Sequence, residues 1–327
     1  MSYDIIVGDC RTELEKLPSE SVDCVITSPP YYGLRDYGTA EWEGGDKDCT
    51  HAVGRATRGN IGDVQQGNVG SYKGGGDEAI KIGEPCPHCG AIRVDSQLGL
   101  ESSINGYIEN MVGVFHEIKR VLKPTGTVWL NLGDSYVQGR GKATLKNMRL
   151  KPKNIMGIPF RVAFALQEDG WILRQDIIWA KPNPMPESIK DRCTNTHEYI
   201  FLLTKSNKYY FDYEAIKEPT TDGKGLRFKR SVWNNQKRRF KGAHFATFPH
   251  DLIEPSVLAG CPENGIILDP FAGSGTTAGV AEVFNRNSIM MELNEEYAKI
   301  IPSRIKDIFR IYGKSEKEEV EIENSDE

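Results

Sequence analysis

The stretch Val22-Asp23-Cys24-Val25-Ile26-Thr27-Ser28-Pro29-Pro30-Tyr31 limits the folding choices of this chain more than any other. Val22, Cys24, Val25 and Ile26 make an apolar run long enough for a buried strand. Two consecutive prolines then end it, because neither can donate to a sheet ladder. They also stiffen the backbone, so the carbonyls of Ser28 and Pro29 point in set directions. A hydroxyl, two aimed carbonyls and the aromatic face of Tyr31 thus stand at one strand end. The set suits a planar ring with an exocyclic amine: acceptors for the N–H groups and a face for stacking. A strand closing in a rigid surface turn would have the same local sequence.

The second constraining stretch is Gly265-Ile266-Ile267-Leu268-Asp269-Pro270-Phe271-Ala272-Gly273-Ser274-Gly275-Thr276-Thr277. An apolar strand runs into a glycine-rich turn, and a helix-competent run follows. Gly273, Gly275 and Ala278 fit the spacing of a nucleoside-cofactor turn, and Glu292 lies near the distance expected of a ribose-binding acid. No lysine follows the glycines, which excludes a phosphate-binding Walker loop.

Together, Asp269-Pro270-Phe271-Ala272-Gly273-Ser274-Gly275-Thr276-Thr277 and Thr27-Ser28-Pro29-Pro30-Tyr31 resemble the cofactor and catalytic motifs of amino-group DNA methyltransferases that use S-adenosylmethionine (SAM). The catalytic motif comes first, an order similar to the β group, a circular permutation of the fold. The resemblance spans most of residues 1–312 except an insert after Tyr32. It implies an α/β fold: a doubly wound Rossmann-like sheet with permuted motif order and insertions. It implies SAM as cofactor and double-stranded DNA as substrate, with Ser28, Pro29, Pro30 and Tyr31 as catalytic residues. The cofactor set is Asp269, Pro270, Phe271, Gly273, Ser274, Gly275, Thr276 and Glu292. The resemblance adds Asp9, placed near the adenine amine, although a helix cap would explain Asp9 equally. It adds Thr247 and Phe248, within a segment resembling the motif at the cofactor's methionine end, and a pocket-lining motif like Leu132-Gly133-Asp134-Ser135. Family members with Ser before the two prolines mostly methylate cytosine N4; those with Asp or Asn mostly adenine N6. The expected product is therefore N4-methylcytosine in a flipped-out base, with N6-adenine as the alternative. A homodimer and a partner restriction endonuclease are both open to such a chain, and the sequence decides neither.

Residues 34–97 differ in kind, with many glycines and few large apolar side chains. Such a segment cannot bury a core of its own. Cys86-Pro87-His88-Cys89-Gly90 has the spacing of a zinc knuckle, and Cys49-Thr50-His51 offers a second half-site. Cys49, His51, Cys86 and Cys89 are the expected ligands of a structural zinc, with His88 as a substitute. Reduced surface cysteines are the plainer reading. Seven cysteines in all argue against a disulfide framework.

The formal charge of −5 looks wrong for a DNA binder, but residues 314–327 hold seven acids and two lysines, leaving 39 basic and 39 acidic side chains elsewhere. Clustering then matters more than the total. The best candidate for reading DNA is 222–245, where Arg227, Lys229, Arg230, Lys237, Arg238 and Arg239 stand among Trp233, Phe228 and amide side chains. A second cationic run, 138–154, carries no acid and suits phosphate contact, or is merely solvated.

The expected organisation is 1–33 as first part of the core, 34–97 as insert, 98–205 as second part, 206–243 as target-recognition region, 244–313 as SAM-binding part and 314–327 as disordered acidic tail. The apolar periodicity of 104–123 predicts a helix closed by Pro124; residues 209–211 suggest a strand. One helix kinked at Pro302 is expected to follow Asn294. No apolar run has transmembrane length, so the chain is expected in the cytoplasm with no membrane partner. Two other classes remain. A NAD-dependent oxidoreductase leaves Ser28–Tyr31 idle, and a non-catalytic zinc-containing DNA-binding module has no use for the glycine turn.

Overall fold

The computed structural model describes residues 2–51, 83–137, 150–184, 186–235 and 248–323, without the side chains of 314–323. In chain order its elements are β1 (Tyr3–Val7), α1 (Cys10–Lys16), β2 (Val22–Thr27), β3 (Glu41–Glu43), β4 (Ile92–Val94), α2 (Ile104–Val121), β5 (Leu122–Leu132), α3 (Ile158–Glu168), β6 (Ile172–Ala180), β7 (His197–Thr204), β8 (Glu218–Pro219), β9 (Leu226–Arg227), β10 (Val232–Asn234), α4 (His250–Gly260), β11 (Ile266–Asp269), α5 (Thr276–Val283), β12 (Asn287–Glu292), α6 (Glu295–Ala298) and α7 (Ile301–Glu323).

Eight strands make one sheet in the order β1-β12-β11-β2-β5-β7-β6-β10. The first five are parallel, β7 runs antiparallel to β5 and β6, and β10 lies parallel to β6. Strands buried on both sides read as continuous apolar runs, which is why Cys24-Val25-Ile26 and Val128-Trp129-Leu130 carry no alternation. Val25, Val128, Leu130, Phe201 and Leu203 face α1, α2 and α3. Cys24, Ile26, Trp129, Ile200 and Leu202 face α4, α5 and α7. The sheet is thus doubly wound, and its catalytic-motif strand β2 lies beside the cofactor-motif strand β11, in register at Cys24↔Ile267 and Val25↔Leu268.

Three expectations are corrected. Helix α2, capped by Ser103 (Oγ to Gly106 N, 3.1 Å), ends at Val121, and β5 begins at once. Pro124 and Gly126 fall in a register shift within that strand rather than in a turn before it. Residues 209–211 are not a strand: Tyr210 N and Asp212 N donate to Thr125 O and Ala259 O, outside any ladder, and β10 supplies the added strand. After Asn294 two helices form instead of one kinked helix, because Pro302 sits in the first turn of α7, where its missing N–H costs nothing. Helix α7 extends through Glu323; glutamate and lysine are good helix formers.

Candidate active site

The cofactor-type turn follows β11. Gly275 caps α5 with φ +83°, and a Cβ there would come within 2.6 Å of Ile301, so only glycine lets α7 pack over the turn. Gly273 N donates to Glu292 Oε2 at 2.8 Å, and Asn294 N to Oε1 at 2.9 Å. Burial nonetheless pushes the Glu292 carboxyl up to about 7, against those two bonds, with Asp269 adding repulsion.

A cavity opens over this turn. Gly8, Asp9, Phe271, Gly273 and Glu292 line one side, Tyr37, Thr39, Ser96 and Gln97 of the insert line the other, and Ser28 and Pro30 also reach it. Carboxylates in a mostly apolar, ring-lined cleft fit the hydroxyls and amine of a nucleoside. Asp9 caps α1 through Arg11 N (2.9 Å), pairs with the Arg11 guanidinium and lines the cavity.

A second cavity adjoins the first, and the two share Ser28 and Tyr37. Its other walls include Pro29, Tyr31, Asn131, Trp179, Glu198 and Phe248. The Ser28 hydroxyl has two acceptors within reach, Asn131 Oδ1 at 3.3 Å and Tyr31 Oη at 3.4 Å. Tyr31 Oη lies 2.7 Å from Glu198 Oε2 and 3.1 Å from Asn131 Oδ1. Burial and the Glu198 charge hold the Tyr31 phenol well above its usual pKa, so it stays a donor. Glu198 is also paired with Lys181, whose ammonium lies over the Trp179 ring at 4.4 Å. The Pro30 carbonyl is taken by Tyr107 Oη at 2.9 Å.

Several residues singled out in the sequence sit elsewhere. Asp269 is 1% exposed and lines neither cavity; it accepts from Thr27 and Thr277 hydroxyls at 2.6 Å each. Ser274 and Thr276 are buried behind the turn. Phe248 lies in the second cavity rather than the first, and Thr247 is outside the described residues. Asp134 serves the start of α3, accepting from Ile158 N at 3.2 Å. Asn131, Trp179, Lys181 and Glu198 were missed. Only Asn131 carried a signal, as a polar residue inside an apolar strand; strand register delivers the rest.

In the expected DNA-reading segment, Arg227 and Arg230 converge on Glu218 at 3.1 and 2.9 Å, with Lys229 at 4.0 Å. Trp233 is corrected to a core residue: it is 5% exposed, packs on Trp129 at 6.2 Å, and donates its indole N–H to Arg230 O. Phe228 is exposed instead. Lys237, Arg238 and Arg239 lie outside the described residues, as do positions 138–149. In the insert, one ligand atom each from Cys49, His51, Cys86 and Cys89 lie within 4.8 Å of one another.

Two adjoining cavities thus lie at the C-terminal ends of the central strands of a doubly wound sheet, where such folds bind their ligands. A family model described as "DNA methylase", for N6 and N4 methyltransferases, matches residues 22–303. The chain is 42% identical over 320 residues to type II methyltransferase M.SmaI of Serratia marcescens, covering 93% of this chain and 91% of that one. It is 41% identical over 313 residues to M.Cfr9I of Citrobacter freundii, covering 91% and 86%. Among solved structures it resembles the PvuII DNA methyltransferase (cytosine-N4-specific), with TM-score 0.61 and 19% identity over 95% of this chain and 92% of that one. A putative DNA modification methylase from Thermus thermophilus, complexed with SAM, gives 0.57 at 21% identity over 94% of both chains. The chain belongs to the DNA methylase family and is an amino-group DNA methyltransferase. Among the described residues no helix is long and apolar enough to cross a membrane.

Proposed function

We propose that the protein methylates N4 of cytosine within a specific site of double-stranded DNA, with the first cavity holding SAM and the second the extruded base. The observation that carries this is Ser28, which follows β2 and, with Tyr37, is common to both cavities. Bound SAM supplies a methyl already activated on a sulfonium. The chain's own work is to bring an amine in line with it at about 3–3.5 Å. The amine's lone pair is delocalised into the ring, and acceptors for both N–H groups shift it toward tetrahedral geometry. With Asn131 Oδ1 or Tyr31 Oη taking the Ser28 proton, the Ser28 lone pairs face the amine as acceptors. The Pro29 carbonyl is the second acceptor, and both dipoles stabilise the cation that forms briefly. Tyr31 and Phe248 give the base aromatic faces. Stacking is worth about 1–3 kcal/mol, comparable to part of the cost of flipping.

Serine before the two prolines favours cytosine over adenine, and the second reading is N6-adenine methylation by the same machinery. Relatives named type II methyltransferases support a sequence-specific site and a partner endonuclease. The test is to treat unmodified DNA with the protein and SAM and to analyse nucleosides by mass spectrometry. N4-methylcytosine is expected; N6-methyladenine would replace the first reading by the second, and neither product would refute both.

A further inference from the structure

We infer that Cys49, His51, Cys86 and Cys89 hold one zinc ion, and that this ion fixes the insert wall of the first cavity; the second half rests on that cavity being the SAM site. Cys49 Sγ and Cys86 Sγ stand 3.9 Å apart, and Cys89 Sγ stands 3.5 Å from His51 Nδ1. A tetrahedral zinc with bonds of about 2.3 Å to sulfur and 2.0–2.1 Å to nitrogen requires separations of about 3.8 and 3.5 Å. Three thiolates and an imidazole form a soft set that selects zinc over calcium or magnesium. Gly45 passes so close that a Cβ there would be 2.9 Å from Cys89 Sγ, and Cys86 is 2% exposed. The Trp42 ring stacks on His51 at 4.1 Å and 9°, tying that ligand to the strand β3.

The cluster stands at one end of a ribbon whose other end is the cavity wall. β3 and β4 pair over three residues, Glu41↔Val94 to Glu43↔Ile92. Past β3 and before β4 come the ligands; before β3 and past β4 come Tyr37, Thr39, Ser96 and Gln97. That wall is bonded within itself and to the core: Tyr37 N to Gln97 Oε1 (2.7 Å), Thr39 Oγ1 to Asp95 Oδ1 (2.7 Å) and Asn294 Nδ2 to Tyr37 O (3.2 Å). A two-stranded ribbon this short is marginal by itself. Ligation joins its two strands at the far end, which keeps the near end preorganised for the cofactor.

The experiment measures metal content and SAM affinity on the full chain. Purified protein is expected to carry about one zinc, lost in Cys86→Ser and Cys89→Ser and retained in Cys193→Ser, an exposed thiol outside the cluster. Cobalt exchanged into the site is expected to show thiolate charge-transfer absorption. By calorimetry, chelation of the wild-type chain is expected to weaken SAM binding about tenfold or more, and added zinc to restore it. Absence of zinc, or its retention in both Cys86→Ser and Cys89→Ser, overturns the site. Zinc removal with unchanged SAM affinity overturns the coupling. A zinc-loaded chain that does not bind SAM overturns the cofactor reading, and the coupling with it, while the metal site stands.

Discussion

Thr27 and Asp269 are 242 positions apart in the chain, and the Thr27 hydroxyl donates to the Asp269 carboxylate at 2.6 Å. The bond joins the strand that ends in Ser28-Pro29 to the strand that ends in the glycine turn. Thr277 grips the second carboxylate oxygen from the start of α5, so one buried acid holds both halves of the site in register.

Asp269→Ala removes both acceptors and leaves two buried hydroxyls unpaired. The expected loss is about 2–4 kcal/mol of stability in urea unfolding, together with weaker SAM binding. Unchanged stability would show that Asp269 does not join the two halves.

Burial raises Glu292 to about 7 and Asp269 to about 6 from ordinary values near 4.5 and 3.8. Acids raised on folding bind more protons in the native than in the unfolded state between those limits, so their contribution to stability falls as pH rises from about 4 to 7. The unliganded protein should lose stability across that window, and Glu292→Gln should flatten the upper part. SAM binding runs the other way. If the ionised Glu292 accepts ribose hydroxyls, SAM affinity drops as pH falls below about 7, a dependence that Glu292→Gln abolishes.

Ser28→Ala is expected to reduce kcat by about 100-fold or more, the scale of losing one preorganised transition-state contact, while KM for DNA changes little. Tyr31→Ala should raise KM as well, by removing a stacking face. Single-turnover kinetics separate the two; equal effects on KM would remove the assigned difference in roles.

Trp233 and Phe228 are five residues apart and are expected to answer differently. Trp233→Ala opens the core beside Trp129 and should cost about 3–5 kcal/mol. Phe228, 66% exposed, should leave stability unchanged when replaced by alanine and weaken duplex binding measured by fluorescence anisotropy.

The basic run shows where sequence reading falls short. Arg227, Lys229 and Arg230 read as free cations, yet Glu218, outside their segment, gathers all three. Though burial alone would raise its pKa, Glu218 is held below the ordinary carboxylate range by Arg230 and Arg227. Trp233 read as a stacking residue because interleaved aromatics and cations look alike whether the ring faces solvent or a sheet. Burial depends on what packs opposite, and here that is β5 and β6.

What the sequence determined by itself is the local chemistry: the strand stopped at Pro29-Pro30, the glycine turn with its acid at Glu292, and the cysteine spacing of the insert. Backbone stereochemistry and apolar periodicity act over a few residues and can be read there. Tertiary structure alone decided that Ser28 belongs to both cavities, and that Asn131 and Glu198 hold Ser28 and Tyr31. It also decided that the insert walls the first cavity. Those relationships follow from parallel pairing of β2 with β11 and β5 and from the antiparallel return of β7. Sheet register is set by the burial of both faces together, and no single segment contains it.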